Sequence, residues 1–228
     1  MDEKRIKTNT NYFTKNYILR PLGAAMAAIG FLIYFMAWNY LFYILMSIFI
    51  PGGIILFVIG SIGNSSESDL IDTIEEKTVG LEVRFEEDKY RATRSLVFGF
   101  PPLVLEGHKY EEGVMLKKAK SGTLRSSEYS KAIVYTLEDG IYITCRSFSL
   151  VADEVENTVY DISYADIEKV EILRERRRLS FKGKSFEAKI TQIRFVRGGE
   201  VISLPIHDDI ESDEYVEKLN KLIAEKKA

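Results

Sequence analysis

Between Pro21 and Ser66 the chain carries no charge: 46 consecutive positions pass without Asp, Glu, Lys or Arg. All 31 Lys/Arg and 34 Asp/Glu of the 228 residues lie outside that stretch. Segregation of this kind excludes a simple soluble domain, a disordered chain and a coiled coil. Cysteine is nearly absent. The one thiol, Cys145, excludes a disulfide framework and a Cys-based zinc site. The two histidines, His108 and His207, stand far apart in the sequence and predict no metal site. A net charge of −3 lacks the basic excess that a nucleic-acid partner requires. No G-x-S-x-G, P-loop or dinucleotide fingerprint occurs. Acidic pairs such as Glu111-Glu112 or the run Glu86-Glu87-Asp88 read as solvated surface. Neither catalysis nor a cofactor is expected.

What is present begins with the membrane. As helix, 46 residues would run roughly 69 Å, about twice a ~30 Å hydrocarbon core. Two spans with a break at Asn39 are therefore predicted, Leu22–Trp38 extended into the interface by Tyr17–Arg20, and Leu41–Ile62. Tyr12, Phe13 and Tyr17 would mark one interface, and Trp38, Tyr40 and Tyr43 the other. Gly23, Ala24, Ala27 and Ala28 have the small-residue spacing that lets helix backbones approach. Pro51-Gly52-Gly53 stands near the midpoint of the second span, as in the broken helices of transporters, but Pro and Gly are common in membrane helices and plain packing is the favoured reading. No Asp, Glu, Lys, Arg or His lies within Leu22–Trp38 or Leu41–Ile62, so no proton or ion relay is predicted. A cleavable signal peptide fits poorly, because about twenty polar residues precede the first run and a second run follows at once. Lys4, Arg5, Lys7, Lys15, Arg20 and Lys77 flank the hairpin while its apex has no cation. Both termini are thus expected in the cytoplasm, in a multi-pass cell-membrane protein. On that topology the acceptor motif Asn64-Ser65-Ser66 stays unglycosylated.

From Glu67 onward the composition is that of a soluble surface, with 26 Lys/Arg and 32 Asp/Glu. Ser66 and Asp69 form a capping-box-like start to a helix over 67–78 with Gly80 as its stop. The stretch 81–95 is left between helix and strand, with helix favoured, so 66–95 is predicted as a helical linker and 96–228 as the domain. Beyond Pro101-Pro102 the apolar period changes to two. Ile141, Ile143 and Cys145 alternate with polar neighbours as a half-buried strand, entered through an Asp139-Gly140 hairpin. Gly183 turns Leu179–Lys182 back into Phe186–Val196, and Gly198-Gly199 turns that strand into Val201–Ile206. Ser212 is expected to cap a last helix whose apolar face is Tyr215, Val216, Leu219, Leu222 and Ile223. The fold class is a membrane α-helical hairpin plus an α+β cytoplasmic domain, an antiparallel barrel of about seven strands closed by a C-terminal helix.

Two stretches carry a family likeness. Thr136-Leu137-Glu138-Asp139-Gly140-Ile141-Tyr142-Ile143 is similar to the early hairpin of bacterial PH and GRAM-type domains. Ile162-Ser163-Tyr164-Ala165-Asp166-Ile167-Glu168-Lys169-Val170 is similar to their mid-domain strand entry. The likeness covers about Ala132 to Lys226 by pattern, and Leu96 to Lys131 by strand count. It implies a pleckstrin-homology-like binding module for lipid headgroups, peptides or proteins; fold alone does not choose among them.

The densest charge feature is the run Arg174, Arg176, Arg177, Arg178, Lys182, Lys184 and Lys189 across the Gly183 hairpin. A second cluster, Lys117, Lys118, Lys120 and Arg125, lies near the first strands. Thr123 stands where a basic residue would precede Arg125 in an inositide-binding motif. Either cluster suits anionic lipid or an acidic protein partner, and either suits plain solvated surface. The sequence therefore predicts a membrane-anchored, non-enzymatic binding or scaffold protein. The alternative is an accessory subunit of a membrane transporter or secretion complex, with the hairpin as main contact.

Overall fold

The computed structural model describes residues 2–15, 19–35, 39–61, 66–81, 94–119, 121–206 and 210–227. It divides into two compact units, Asp2–Asp69 and Leu70–Ala228. Tyr17, Trp38, Lys120 and His207, the stretch 82–93, and Asn64-Ser65 lie outside the described residues.

The first unit holds α1 (Glu3–Thr14), α2 (Leu19–Phe35) and α3 (Tyr40–Ser61). Asn39 starts α3 as a side-chain cap, its Oδ1 accepting the Leu41 N–H at 2.9 Å. α2 and α3 pack antiparallel along glycines. A Cβ on Gly53 would lie 2.5 Å from the Ala27 nitrogen, one on Gly23 2.4 Å from the Phe57 nitrogen, and one on Gly60 2.6 Å from the Arg20 nitrogen. Only hydrogen fits there, so the backbones touch. α3 is long and apolar enough to cross a membrane; its 22 residues span about 33 Å. The helix runs unbroken through Pro51-Gly52-Gly53, as the packing reading has it and not as a broken span. Proline costs a bond to the Ser47 carbonyl, but an apolar helix held against a neighbour tolerates the loss. Outward-facing Phe31, Leu32, Phe35, Ile44, Ile48 and Ile55 remain exposed.

α4 (Glu67–Thr78) begins in the first unit and runs into the second, where nine strands follow among the described residues. Its start is the reciprocal cap read from the sequence: Ser66 N–H donates to Asp69 Oδ2 at 2.6 Å, and Asp69 N–H returns to Ser66 Oγ at 3.4 Å. The strands are β1 (Leu103–Lys109), β2 (Leu116–Lys118), β3 (Leu124–Ser126), β4 (Glu128–Leu137), β5 (Gly140–Ser149), β6 (Val155–Ser163), β7 (Ile167–Phe181), β8 (Lys184–Arg197) and β9 (Glu200–Pro205). α5 (Ile210–Lys227) ends the described chain. The pairing is antiparallel throughout, in sheets β1-β4-β5-β6, β2-β3 and β7-β8-β9. The expectation of one closed barrel of about seven strands is corrected. β6 ends at a 3-10 turn, Tyr164–Asp166, and β7 starts a separate sheet, so no ladder joins the two.

The core lies between the sheets and under α5. Ile141, Ile143, Ile162, Ile167, Ile193, Phe195 and Leu219 are fully enclosed there. α5 presents Val216, Leu219 and Ile223 as its periodicity predicts, but begins two residues before the expected Ser212 cap. Asn220 fastens it: Nδ2 donates to the Val170 carbonyl at 2.7 Å and Oδ1 accepts the Val170 N–H at 3.0 Å. β5 is not half-buried. Ile133, Tyr135, Leu137 and Tyr142 form a second cluster with Leu81, which buries the polar-looking face of its middle. Gly140 serves close packing, since a Cβ there would lie 2.3 Å from the Ile162 carbonyl oxygen. At the β7–β8 turn both Lys182 and Gly183 have positive φ, the two-residue turn that matches strand twist.

Candidate functional site

The two basic clusters, well separated in sequence, meet at one end of the second unit. The cause is apolar. Val114 and Leu116 of the β2–β3 region pack with Leu179, Ala188 and Ile190 of β7 and β8, flanked by Tyr110, Leu124 and Phe186. This cluster seats the small hairpin against the long one. A cleft of about 680 Å3 separates their tips, lined by Lys118, Ser121, Thr123, Ser185, Phe186 and Lys189 among others.

Strand register sorts the charges on the long hairpin. Arg177 lies opposite Ala188 and Leu179 opposite Phe186, so Arg177 shares the packed face. Arg176 opposes Lys189 and Arg178 opposes Glu187 on the other face. Three arginines have carboxylate partners: Arg174 with Asp213 of α5 at 2.7 Å, Arg176 with Glu187 at 3.3 Å, and Arg177 with Glu175. Arg177 also donates to the Tyr110 carbonyl at 3.3 Å, tying β7 to the end of β1. Such exposed pairs contribute about 0–1 kcal/mol and exchange easily for other anions. At the tip Lys182 lies over the Phe181 ring, 5.9 Å from its centroid, and Lys184 is exposed.

On the small hairpin Lys117 lies directly opposite Arg125. Burial pushes the Lys117 ammonium down to about 8, because a half-desolvated charge is disfavoured. An Arg125 guanidinium nitrogen stands 3.4 Å from His108 Nε2, and His108 Nδ1 stands 2.9 Å from the Ser126 carbonyl. Lys118 is exposed. Among the described residues no three or more His, Cys, Asp or Glu side chains are placed to hold a metal.

Two functional-looking groups escaped sequence reasoning. Lys77 donates to the Ser149 and Ala152 carbonyls at 2.7 and 2.9 Å, while Arg146 donates to the Lys77 and Val79 carbonyls at 2.8 and 3.0 Å. Together they cap the C-terminal end of α4 and hold it to β5. The second group is the polar floor between the two larger sheets, where Ser130 and Cys145 are buried at core-parity positions. The signal lay in the alternation, which places hydroxyls where apolar side chains belong.

No family model, no curated protein and no solved structure matches this chain.

Proposed function

We propose that the chain is a membrane-anchored, non-enzymatic binding protein. On this reading α2 and α3 cross the cell membrane as a two-span hairpin and both termini lie in the cytoplasm. The sheet-rich unit is a pleckstrin-homology-like module that offers its paired basic hairpins to an anionic lipid surface or an acidic protein segment. Support for the anchor is the glycine-lined contact of α2 with α3 beneath exposed apolar side chains, and the flanking cations of the charge-free stretch. Support for the module is a four-stranded antiparallel sheet followed by a three-stranded one and then a helix. The single observation that carries the reading is the convergence of both basic clusters on one end of the unit through the Leu116–Leu179–Ile190 packing. A tether gives weak contacts of this kind a high effective concentration.

Flotation with liposomes tests it. The unit from Leu70 onward, its fold checked by circular dichroism, should float with acidic vesicles at low salt and lose binding as the Debye length falls from ~30 Å at 0.01 M to ~10 Å at 0.1 M. Replacing Lys118, Arg178 and Lys184 by Ser should remove ~3 kcal/mol of attraction, on the order of a hundredfold in partitioning. Equal flotation of both forms would sink the basic-hairpin reading for lipid, and failure of the same three changes to weaken an acidic peptide's binding would sink it for protein.

A further inference from the structure

The inner face of the four-stranded sheet changes character along its length. Directly opposed residues form rows across β1, β4, β5 and β6: Leu103–Val134–Ile143–Tyr160, then Leu105–Ala132–Cys145–Thr158, then Gly107–Ser130–Ser147–Glu156. The first row belongs to the core, the second is mixed, and the third has no apolar side chain. A cavity of about 560 Å3 opens over the last two rows, closed on the far side by Ile190, Leu204 and Pro205. That volume falls within the usual range for small-ligand sites, about 300–1,000 Å3. Ser130 is 3% exposed, yet among the described residues its hydroxyl meets only Ser147 Oγ at 3.4 Å and Cys145 Sγ at 3.5 Å. Buried hydroxyls with such long contacts call for a further polar partner.

Charge at the two ends of the cavity differs in sign once paired groups are set aside: on the β1 side Glu111 is paired with Lys109 at 3.0 Å and Glu106 with Lys131 at 3.6 Å. Glu156 stands on β6 at one end. Arg125 and Arg177 stand at the other, beside β1: Arg125 is held at His108 and Arg177 at the Tyr110 carbonyl. Lys109 and Lys189 complete the four cations of the lining, and Arg177 also holds Glu175. Three strand intervals of about 4.8 Å separate β6 from β1, about 14 Å before the side chains reach inward. A ligand with one charge gains at one end and loses at the other. Two guanidinium groups and an ammonium offer more donors than the two oxygens of a carboxylate use, which favours a phosphate ester.

We infer that this cavity binds a small amine–phosphate zwitterion, with its ammonium at Glu156, its phosphate at Arg125 and Arg177, and its linker over Ser130 and Ser147. The ligand is the headgroup of a zwitterionic lipid or a free ester of the same chemistry. The cavity adjoins the cleft between the hairpin tips, sharing Tyr110, Thr123, Leu124 and Lys189 with it, but the inference does not rest on a function of that cleft.

Cys145, the chain's only cysteine, lines the cavity and reports on its occupancy. The full-length protein in phospholipid-free non-ionic detergent is titrated with sn-glycero-3-phosphoethanolamine by calorimetry, then alkylated with iodoacetamide. At ten times the measured dissociation constant the probe should slow alkylation about tenfold, since about one site in eleven remains empty. Ethanolamine and sn-glycerol 3-phosphate, which carry charge of one sign each, should not protect at that concentration. Glu156→Gln, at an exposed position, should fold normally and lose the protection. No calorimetric binding of the zwitterion, or equal protection by glycerol phosphate, overturns the inference. Calorimetry decides the matter if the thiol reacts slowly. Slower alkylation in phosphatidylethanolamine nanodiscs than in phosphatidylglycerol nanodiscs assigns the site to the lipid; equal rates in the two, with protection by the soluble probe, assign it to the free ester.

Discussion

Asn220 is the side chain on which the placement of α5 turns. Its amide makes both hydrogen bonds to the Val170 backbone, at 2.7 and 3.0 Å, and Nδ2 also donates to the Val216 carbonyl at 3.0 Å within the helix. Val170 is 3% exposed, so water cannot readily replace the amide. Asn220→Ala leaves one donor and one acceptor of β7 unmet. At about 1–1.5 kcal/mol for each lost bond the change should cost about 2–3 kcal/mol. For a chain of this size 1 kcal/mol shifts Tm by about 2–4 °C, so a drop of roughly 4–12 °C is expected. Asn220→Asp keeps the acceptor but sets a carboxylate against the Val170 carbonyl, and should be no better than Ala. The assay is thermal unfolding of the full chain in detergent, followed by far-ultraviolet circular dichroism. A melting temperature for Asn220→Ala within about 1 °C of the parent, below even the smallest shift expected here, would refute the reasoning and leave α5 held by Leu219 and its apolar neighbours alone.

Other expectations follow from the same geometry. Gly53→Leu places a side chain where even a Cβ would lie 2.5 Å from the Ala27 backbone, so α2 and α3 must part and the chain should lose thermal stability in detergent. Ser47→Leu, on the exposed side of the same helix, should not; equal effects would mean the glycine contact is unimportant. Lys117 gives a pH test. Its folded value is depressed to about 8 from 10.5, so between those pH values the unfolded chain binds more protons and stability gains with rising pH. Lys117→Met should therefore stabilise at neutral pH and lose that advantage as the pH climbs toward the unfolded value, and a gain that grows with pH would contradict the assignment.

Much of this architecture was legible in the sequence because it rests on periodicity. The charge-free stretch, the Asn39 break, the Ser66–Asp69 cap and the Leu219 face each follow from one local rule, and each reappears in α2, α3, α4 or α5. Pro51 left two readings open because local propensity ignores a neighbour: Gly53 packs α3 against α2, and a helix held there tolerates the proline. The separation of β6 from β7 was hidden because a strand pattern states which face is buried and not which strand lies alongside. The burial of Tyr142 had the same origin, since a polar-looking face can be covered by residues such as Leu81 from before the sheet. The convergence of Lys118 with Lys189 was not legible at all. It depends on Leu116 finding Leu179, a pairing between distant parts of the chain that no local pattern encodes. Asn220 and Lys77 escaped because each acts on a backbone carbonyl, and carbonyls leave no mark in a sequence.

The membrane-anchored reading stands or falls on topology. Reporters active only outside the cytoplasm, inserted at Asn39 and fused after Ala228 in separate chains, measure it directly. The hairpin account predicts activity at Asn39 and silence after Ala228. Activity after Ala228 with silence at Asn39 would contradict it, and would place the basic hairpins on the opposite side of the membrane from the one that the flanking cations require.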